Sequence, residues 1–276
     1  MTDGRSETET IRGQILYRDL DLSSVICDLP LPGMIDILYE DNHCLAVNKP
    51  AGLLTQGDVT GAPSLVDHAR SYLKTRFGKP GNVFVGLVHR LDRPVSGVVL
   101  LARTSKAAAR LSEQFRAGTV EKVYWAWVEG NCPEVAGEWA DTLWKNAGRN
   151  VVRVVPRGTE GGQKARLAFR VLESVAQTTL LELRPTTGRS HQLRVQLASR
   201  GLPILGDRKY GARTTLWARD GRPRVALHAT QLSFTHPTKQ EAISIAAPVP
   251  PDWPASGSGG TGGTPGSSTP GEQPAP

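Results

Sequence analysis

Short segments of alternating or continuous apolar residues recur between residues 35 and 254, and this pattern predicts β-strands. Apolar runs at 36–39 and 44–47 flank the polar residues 40–43, so together they predict a β-hairpin. Alternation over 123–128 places Trp125 and Trp127 on one face of a strand and Tyr124 on the other. Further strands are predicted at 98–102, 165–172, 179–183, 226–233 and 242–245.

Helices are predicted at three places between these strands. Residues 64–67 have the form of a capping box and begin a helix that ends at Gly78. Apolar residues spaced three and four apart predict a second helix, which ends at Gly118. A short third helix is predicted from Ser190 to about Ser199. Many strands with interspersed helices predict an α+β fold: a mostly antiparallel mixed sheet flanked by helices and loops.

The two ends of the chain differ from this central pattern. Residues 1–34 carry alternating charges and a Leu-Pro-Leu-Pro stretch, and they predict an extended arm. Residues 255–276 are rich in Gly, Ser and Pro and predict a disordered tail. Their glycines do not form a phosphate loop, because no strand precedes them and no Lys-Ser/Thr follows. We therefore expect one domain over residues 35–254.

Charge and cysteine content narrow the class of protein. The 276-residue chain has a formal net charge of +7 and a pI near 9.5, which favours a polyanionic partner, nucleic acid first. Cys27, Cys44 and Cys132 are odd in number and lack CxxC spacing, so neither a disulfide framework nor a zinc site is expected. No apolar run has the length of a membrane span. We expect a cytoplasmic protein without a membrane partner.

The segment 89–97 (HRLDRPVSG) carries the most distinctive chemistry. It sets one carboxylate, Asp92, among cationic or potentially cationic side chains. Because these neighbours stabilise the charged form, we expect Asp92 to be ionised at neutral pH, which suits a nucleophile better than a general acid. Three other segments hold clustered polar groups: 121–124 with its tyrosine, 187–194 (TGRSHQLR) and 206–211 (GDRKYG).

Other kinds of site fit these residues poorly. Ser96 lacks the GxSxG turn of a Ser-His-Asp hydrolase. The six histidines show no helical metal-ligand spacing. The two carboxylates in motif-like settings, Asp92 and Asp207, lie beside cations and do not form a convincing acid–base pair. A helix N-terminus at 188–190 suits a phosphate of an RNA backbone.

Together these segments resemble the RluA-type pseudouridine synthase family. Residues 89–97 match its central motif, which reads HRLD, two variable residues, a position where threonine is frequent, and SG. Six further elements follow the family's order: 48–52 (NKPAG), 122–124 (KVY), 188–194 (GRSHQLR), 206–211, 227–229 (LHA) and 236–237 (HP). The sequence departs from the family at Val95, where threonine is frequent, and at Gln196, where histidine is common. The resemblance spans about residues 35–253.

The resemblance implies a mechanism and three catalytic residues. The family converts uridine in RNA to pseudouridine without a metal, nucleotide or redox cofactor. It implies Asp92 as the nucleophile, with attack on ribose C1′, attack on the uracil ring and a glycal route all left open. We expect Arg189 to hold Asp92 ionised through a bidentate pair; the alternative for Arg189 is a plain phosphate contact. We expect Tyr124 to stack on the uracil after the base has flipped out of the RNA.

The resemblance also implies substrate contacts and a partner. Leu193 either covers the other face of the uracil or belongs to the core. Three roles are expected for His89, Arg90 and Arg93, with no role assigned to a particular residue: replacing the flipped base, holding the loop and binding phosphate. Five cations are either backbone contacts or solvated surface charges: Lys49, Lys122, Arg194, Arg208 and Lys209. The expected partner is structured RNA, ribosomal or transfer, bound by a monomer.

Two functions of other classes stay open. One is an RNA-binding or assembly factor of the same fold without catalytic activity. The other is a nucleoside or sugar hydrolase, which requires a second, well-placed carboxylate.

Overall fold

Thirteen strands, three α-helices and one 3₁₀ helix make up the fold in the computed structural model, which describes residues 35–254. The strands are β1 (Asp36–Glu40), β2 (Cys44–Lys49), β3 (Gly86–Leu87), β4 (Ser96–Ala102), β5 (Glu121–Glu129), β6 (Ala136–Asn146), β7 (Val151–Val155), β8 (Gln163–Val175), β9 (Thr178–Pro185), β10 (Leu216–Trp217), β11 (Pro223–Arg224), β12 (Leu227–Thr235) and β13 (Ala242–Ala246). The helices are α1 (Leu65–Arg76), α2 (Ser105–Ala117), α3 (Gln192–Ala198) and the 3₁₀ helix Arg208–Tyr210. The arm and the tail expected from the sequence lie outside the described residues.

Eleven of the described strands form one mixed sheet. The strand order is β1-β2-β4-β12-β5-β9-β8-β6-β7, with β3 added to β4 and β13 added to β12. The pairing of β4 with β12 is parallel, and the other pairings of this sheet are antiparallel. Strands β10 and β11 form a separate two-stranded ribbon. The predicted α+β fold around a mostly antiparallel mixed sheet is confirmed.

The predicted hairpin and the first two helices are also confirmed. β1 pairs with β2 in antiparallel register. Ser64 caps α1 and forms the predicted capping box with Asp67, and Gly118 ends α2 in the left-handed conformation. All seven residues of β4 are buried, because this strand lies inside the sheet and packs against α2. No described helix is long and apolar enough to cross a membrane.

Gly97 is required where β4 meets β12. Its φ is +117°, and a Cβ atom at this position would lie 2.3 Å from the carbonyl oxygen of Ala229. Only glycine tolerates both the backbone conformation and this approach. The glycine of the HRLD…SG motif therefore fixes the strand that follows the Asp92 loop.

The antiparallel pair β6 and β7 was missed at the sequence level, and the third helix is shorter than predicted. β6 mixes charged, apolar and glycine residues, and its burial alternates only weakly. Its pairing with β7 on one side and β8 on the other supplies the order that the local pattern lacks. α3 begins at Gln192 and not at Ser190, because His191 has a left-handed backbone, with φ 52°.

A buried histidine makes the stability of this fold dependent on pH. His228 is fully buried; Nδ1 lies 2.8 Å from Ser96 Oγ and Nε2 lies 3.2 Å from the carbonyl oxygen of Ala247. Because that carbonyl can only accept, Nε2 carries the proton and Nδ1 accepts from Ser96. This neutral imidazole is favoured, and burial lowers the pKa of His228 to about 4.

We therefore expect the protein to lose stability as the pH falls from 6.5 toward 4. In this window the unfolded chain binds a proton that the folded chain excludes, so the cost of His228 approaches about 3 kcal/mol. Urea unfolding of the wild type and of His228→Asn between pH 7 and 4.5 measures it. The difference in unfolding free energy between the two proteins should shrink toward acid pH. A constant difference would contradict the assignment.

Candidate active site

The Asp92 loop connects β3 to β4 and is held on both sides of the carboxylate. Thr55 Oγ1 donates to the carbonyl oxygen of Leu91 at 2.7 Å. The amide of Gly52 donates to the carbonyl oxygen of Arg93 at 2.7 Å, and the amide of Val225 donates to the carbonyl oxygen of Pro94 at 3.2 Å. Such bonds to the neighbouring backbone fix the direction of the Asp92 side chain before any substrate binds.

Lys49 is a buried support of this loop. This corrects the expectation that Lys49 contacts the RNA backbone or is a solvated surface charge. Its side chain is fully buried, and Nζ donates to the carbonyl oxygens of Pro50, Leu53 and Arg93 at 2.9, 2.8 and 3.3 Å. Burial lowers the pKa of Lys49 to about 7, although the negative charge of Asp92 opposes that shift. The lysine of the KPAG segment thus ties this segment to the Asp92 loop.

Arg194 is the cation that holds Asp92. Nη1 donates to Asp92 Oδ2 at 2.9 Å, while Nε and Nη2 donate to the two oxygens of Asp207 at 2.6 and 2.8 Å. Arg194 and Asp207 are buried, and the Asp92 side chain is 21% exposed. Burial disfavours the charge on Arg194, but the hydrogen bond and charge of Asp207, aided by Asp92, raise its pKa. The arginine therefore stays charged and places its positive charge against the Asp92 carboxyl group.

This network corrects two expectations from the sequence. Arg189 does not pair with Asp92: it is exposed, and its Nε donates to the carbonyl oxygen of Lys164 at 3.0 Å. Arg194, expected to contact the RNA backbone, is instead buried between two carboxylates. The proposed phosphate site at 188–190 is also wrong, because the helix begins later and the amide of Arg189 donates to Gln192 Oε1 at 3.1 Å.

His191 stands beside Asp92 and is oriented by Tyr210. The amide of Val152 donates to Tyr210 Oη at 3.0 Å, and this hydroxyl lies 2.7 Å from His191 Nδ1. The hydroxyl proton therefore points to Nδ1, and the neutral imidazole carries its own proton on Nε2, 3.8 Å from Asp92 Oδ2. Burial lowers the pKa of His191 although Asp92 opposes that shift.

A pocket of about 110 Å³ opens above the carboxylate. Tyr124 and Leu193 both contribute to its lining; Leu193 also belongs to the buried core. Burial, reinforced by the charge of Asp92, raises the pKa of Tyr124, so its phenol stays neutral. The other lining residues are Arg90, Leu91, Asp92, Val95, Lys122, Pro185, Thr187, Gly188, Arg189, His191, Gln192, Arg194 and Leu227.

Two residues of segment 89–97 expected to bind substrate lie outside this lining. His89 stacks on Phe115 with ring centroids 4.6 Å apart, and its Nε2 accepts from the amide of Leu100 at 2.9 Å. Burial lowers the pKa of His89 to about 3, so this histidine is a neutral part of the packing. Arg93 Nε donates to the carbonyl oxygen of Gly52 at 3.0 Å and holds the loop. Arg90 alone of the segment's three cationic or potentially cationic residues lines the pocket.

Sequence reasoning did not assign roles to Asp207, His191 and Tyr210. All three stood in segments already marked as motif-like, 188–194 and 206–211. His191 lies 99 positions from Asp92, and the arginine that pairs with Asp207 lies 102 positions from Asp92, so spacing carried no signal of these contacts. Arg208 Nη1 donates to two carbonyl oxygens of its own loop, and Lys209 is exposed.

One cluster of potential metal ligands occurs among the described residues, formed by Asp41, Cys44 and His236. His236 Nε2 donates to Asp41 Oδ2 at 2.6 Å, and its Nδ1 accepts from the amide of Lys239 at 3.0 Å. Burial raises the pKa of Cys44 to about 12, which disfavours the thiolate that metals bind. Both nitrogens of the histidine are occupied, so this cluster ties a loop to the β1–β2 hairpin.

Comparisons with known proteins relate this chain to RNA pseudouridine synthases. A family model described as RNA pseudouridylate synthase matches residues 43–199. The chain is 38% identical to ribosomal large subunit pseudouridine synthase C of Vibrio cholerae, over 77% of this chain and 65% of that protein. It thus spans about two thirds of that relative's length. It is also 38% identical to dual-specificity RNA pseudouridine synthase RluA of Pasteurella multocida, over 79% of this chain and 95% of the relative.

A solved structure is similar as well. Human RNA pseudouridylate synthase domain containing 4 matches with a TM-score of 0.66 and 28% identity, covering 79% of this chain and 90% of that chain. The likeness extends over most of the chain.

Proposed function

This chain belongs to the RNA pseudouridylate synthase family, and from that premise we propose that it isomerises uridine to pseudouridine at specific sites in structured RNA, ribosomal or transfer. The observation that carries the proposal is the hydrogen bonding of the Asp92 carboxyl group. Arg194 holds Oδ2, and within the described part of the chain Oδ1 accepts no hydrogen bond. An ionised carboxylate with one oxygen held and one oxygen free at a pocket is suited to nucleophilic attack. Cytoplasmic location and action as a monomer stay predictions.

The free oxygen serves each of the possible covalent routes. Attack on ribose C1′, attack on the uracil ring and the glycal route all need an ionised carboxylate beside the target nucleotide. Arg194 compensates its charge without covering Oδ1. Pre-positioned charge of this kind avoids reorganisation during the reaction.

The pocket walls suit a flipped uracil. A uridine in structured RNA must leave its stack to reach Asp92, and an aromatic ring recovers part of the lost stacking energy. Tyr124 supplies the ring and Leu193 supplies an apolar surface, both in the pocket lining. Lys122, Arg90 and Arg189 line the same pocket and are placed to bind the phosphates on either side of the base.

His191 and Tyr210 complete the site as positioning residues. Both Arg194 and His191 Nε2 face the same carboxylate oxygen, Oδ2. Tyr210 selects the imidazole tautomer that carries its proton toward Asp92. Arg194 therefore holds Oδ2 by a hydrogen bond, and the N–H of His191 adds a weaker electrostatic contact to the same oxygen.

Tyr210→Phe is expected to lower kcat about 10-fold and to leave KM for RNA unchanged, since the lost hydrogen bond contributes on the order of 1–3 kcal/mol. Steady-state kinetics measure both constants. Tyr72→Phe is the matched control, because the Tyr72 hydroxyl donates to Glu40 at 2.7 Å and Tyr72 is not part of the pocket lining. Equal effects of the two variants on kcat would show that Tyr210 acts only on stability.

Release of tritium from RNA labelled at C5 of uridine tests the proposed function. Forming the C5–C1′ bond expels the C5 hydrogen, whereas RNA binding alone does not. The wild-type protein should release tritium from ribosomal or transfer RNA without releasing free uracil. Tight binding without release from either RNA would favour the non-catalytic binding factor, and free uracil would favour the hydrolase.

A further inference from the structure

The outer face of β8, the face turned away from the core, carries a row of cations. Lys164, Arg166 and Arg170 are exposed and alternate with buried apolar residues of the same strand. Arg184 of β9 lies on this face too, because it pairs in register with Ala168. Successive side chains on one face of a strand stand about 7 Å apart. Lys164 and Arg166 are therefore neighbours on this face, and Ala168 separates Arg166 from Arg170.

The cations of this row differ in how their charge is compensated. Arg170 and Arg184 both form ion pairs with Glu182, at 3.2 and 2.9 Å. Neither Lys164 nor Arg166 forms an ion pair with any described residue. Within residues 35–254, Lys164 and Arg166 thus have no acidic partner, whereas Arg170 and Arg184 share one carboxylate.

Lys164 and Arg166 adjoin the rim of the pocket. Arg189 lines the pocket, and its Nε donates to the carbonyl oxygen of Lys164 at 3.0 Å. Gln192, also in the lining, donates from Nε2 to the carbonyl oxygen of Arg166 at 3.0 Å. These bonds hold the pocket rim against β8. An RNA strand that leaves the pocket over Arg189 therefore meets Lys164 first and Arg166 next.

We propose that the RNA strand flanking the target nucleotide leaves the pocket over Arg189 and lies on the outer face of β8, with its phosphates against Lys164 and Arg166. This inference rests on the proposed function and names the surface that extends the substrate site beyond the pocket. Arginine binds phosphate through paired N–H groups, and uncompensated cations release counterions from the RNA on binding. Arg170 lies further along the row and is already paired with Glu182.

The test compares Arg166→Ala with Arg170→Ala, which remove the same residue type from the same face of the same strand. Binding of a transfer RNA transcript is measured over a range of salt concentrations. Log K decreases as log salt increases. For each phosphate that the protein no longer neutralises, the magnitude of this negative slope should decrease by about 0.7–0.9. We expect that change for Arg166→Ala, about twice that change for Lys164→Ala/Arg166→Ala, and none for Arg170→Ala. Equal slopes for the two single variants would overturn the proposal.

Two further arms separate this proposal from the proposed function. A short oligouridine that reaches only the pocket should bind the double variant as it binds the wild type. A parallel loss for the oligouridine would mean that the pocket itself is damaged, which contradicts a separate surface. Because the slopes need no catalysis, they are read even if the wild type releases no tritium.

A substitution at Glu138 is expected to strengthen RNA binding, whereas the substitutions above weaken it. It is exposed on β6 and pairs in register with Ala168, so it lies on the same face, next to Arg166. Glu138→Gln removes a negative charge from the proposed RNA surface and should tighten binding of the transcript without affecting the oligouridine. Weaker binding of the transcript would count against RNA on this face.

Discussion

Asp92→Asn is expected to abolish the release of tritium from C5-labelled RNA, with a loss of at least about 10⁴-fold in rate, as when an enzymatic nucleophile is removed. Asparagine keeps the shape of the side chain and can still accept from Arg194, but it carries no negative charge and is a poor nucleophile. RNA affinity should stay close to that of the wild type, because the carboxylate oxygen attacks and does not bind phosphate. Tritium release and RNA binding are measured on the same preparations.

Glu113→Gln is the matched control for this substitution. It also converts a carboxylate to an amide, at an exposed position on α2 where the side chain pairs with Arg116. This variant should release tritium at the rate of the wild type. If Asp92→Asn retained a comparable rate, the carboxylate could not be the nucleophile, and the proposed mechanism would have to be abandoned.

Arg194→Met is expected to destabilise the protein by about 3–5 kcal/mol and to abolish activity, because it leaves Asp207 as a buried, unpaired charge. Asp207 is 1% exposed, and Arg194 donates to both of its carboxylate oxygens. Urea unfolding measures the loss of stability. Arg116→Ala, which removes an arginine from an exposed ion pair, should change the unfolding free energy by less than about 1 kcal/mol.

A double variant separates stability from catalysis if Arg194→Met folds poorly. Arg194→Met/Asp207→Asn removes both buried charges, so much of the lost stability should return. Activity should not return, because Asp92 still lacks the cation that holds Oδ2. A double variant that recovered tritium release would show that Arg194 serves the fold alone.

Local patterns were sufficient for the elements whose stabilisation is local. The capping box of α1, the glycine after α2 and the β1–β2 hairpin depend on neighbours within a few residues. β6 lacked such a pattern and gains its order from pairing with β7 and β8, whereas the four valines of β7 carried a strand signal that the sequence analysis overlooked. The resemblance to the family placed Asp92, Tyr124 and Leu193 in one site, and the structure brings all three to one pocket.

The sequence did not show which of the nearby arginines contacts Asp92. Segment 188–194 contains two arginines, and the expected partner of Asp92 was the first of them. α3 begins after the left-handed His191 and has Arg194 among its buried residues, whereas Arg189 precedes the helix and is exposed at the rim. The pairing thus depends on where the helix begins and on the distant carboxylates Asp92 and Asp207, and no spacing rule contains that information.

The sequence by itself determined the class of fold, the family and the carboxylate at the centre of the site, because these follow from hydrophobic period, caps and motif residues. Only the tertiary structure decided which cations are buried supports and which are exposed. Lys49 and Arg194 lie inside, held by carbonyl or carboxylate oxygens, whereas Lys164 and Arg166 face solvent beside the pocket. The reason is that burial of a charge depends on partners far along the chain, which are brought together only when the sheet assembles.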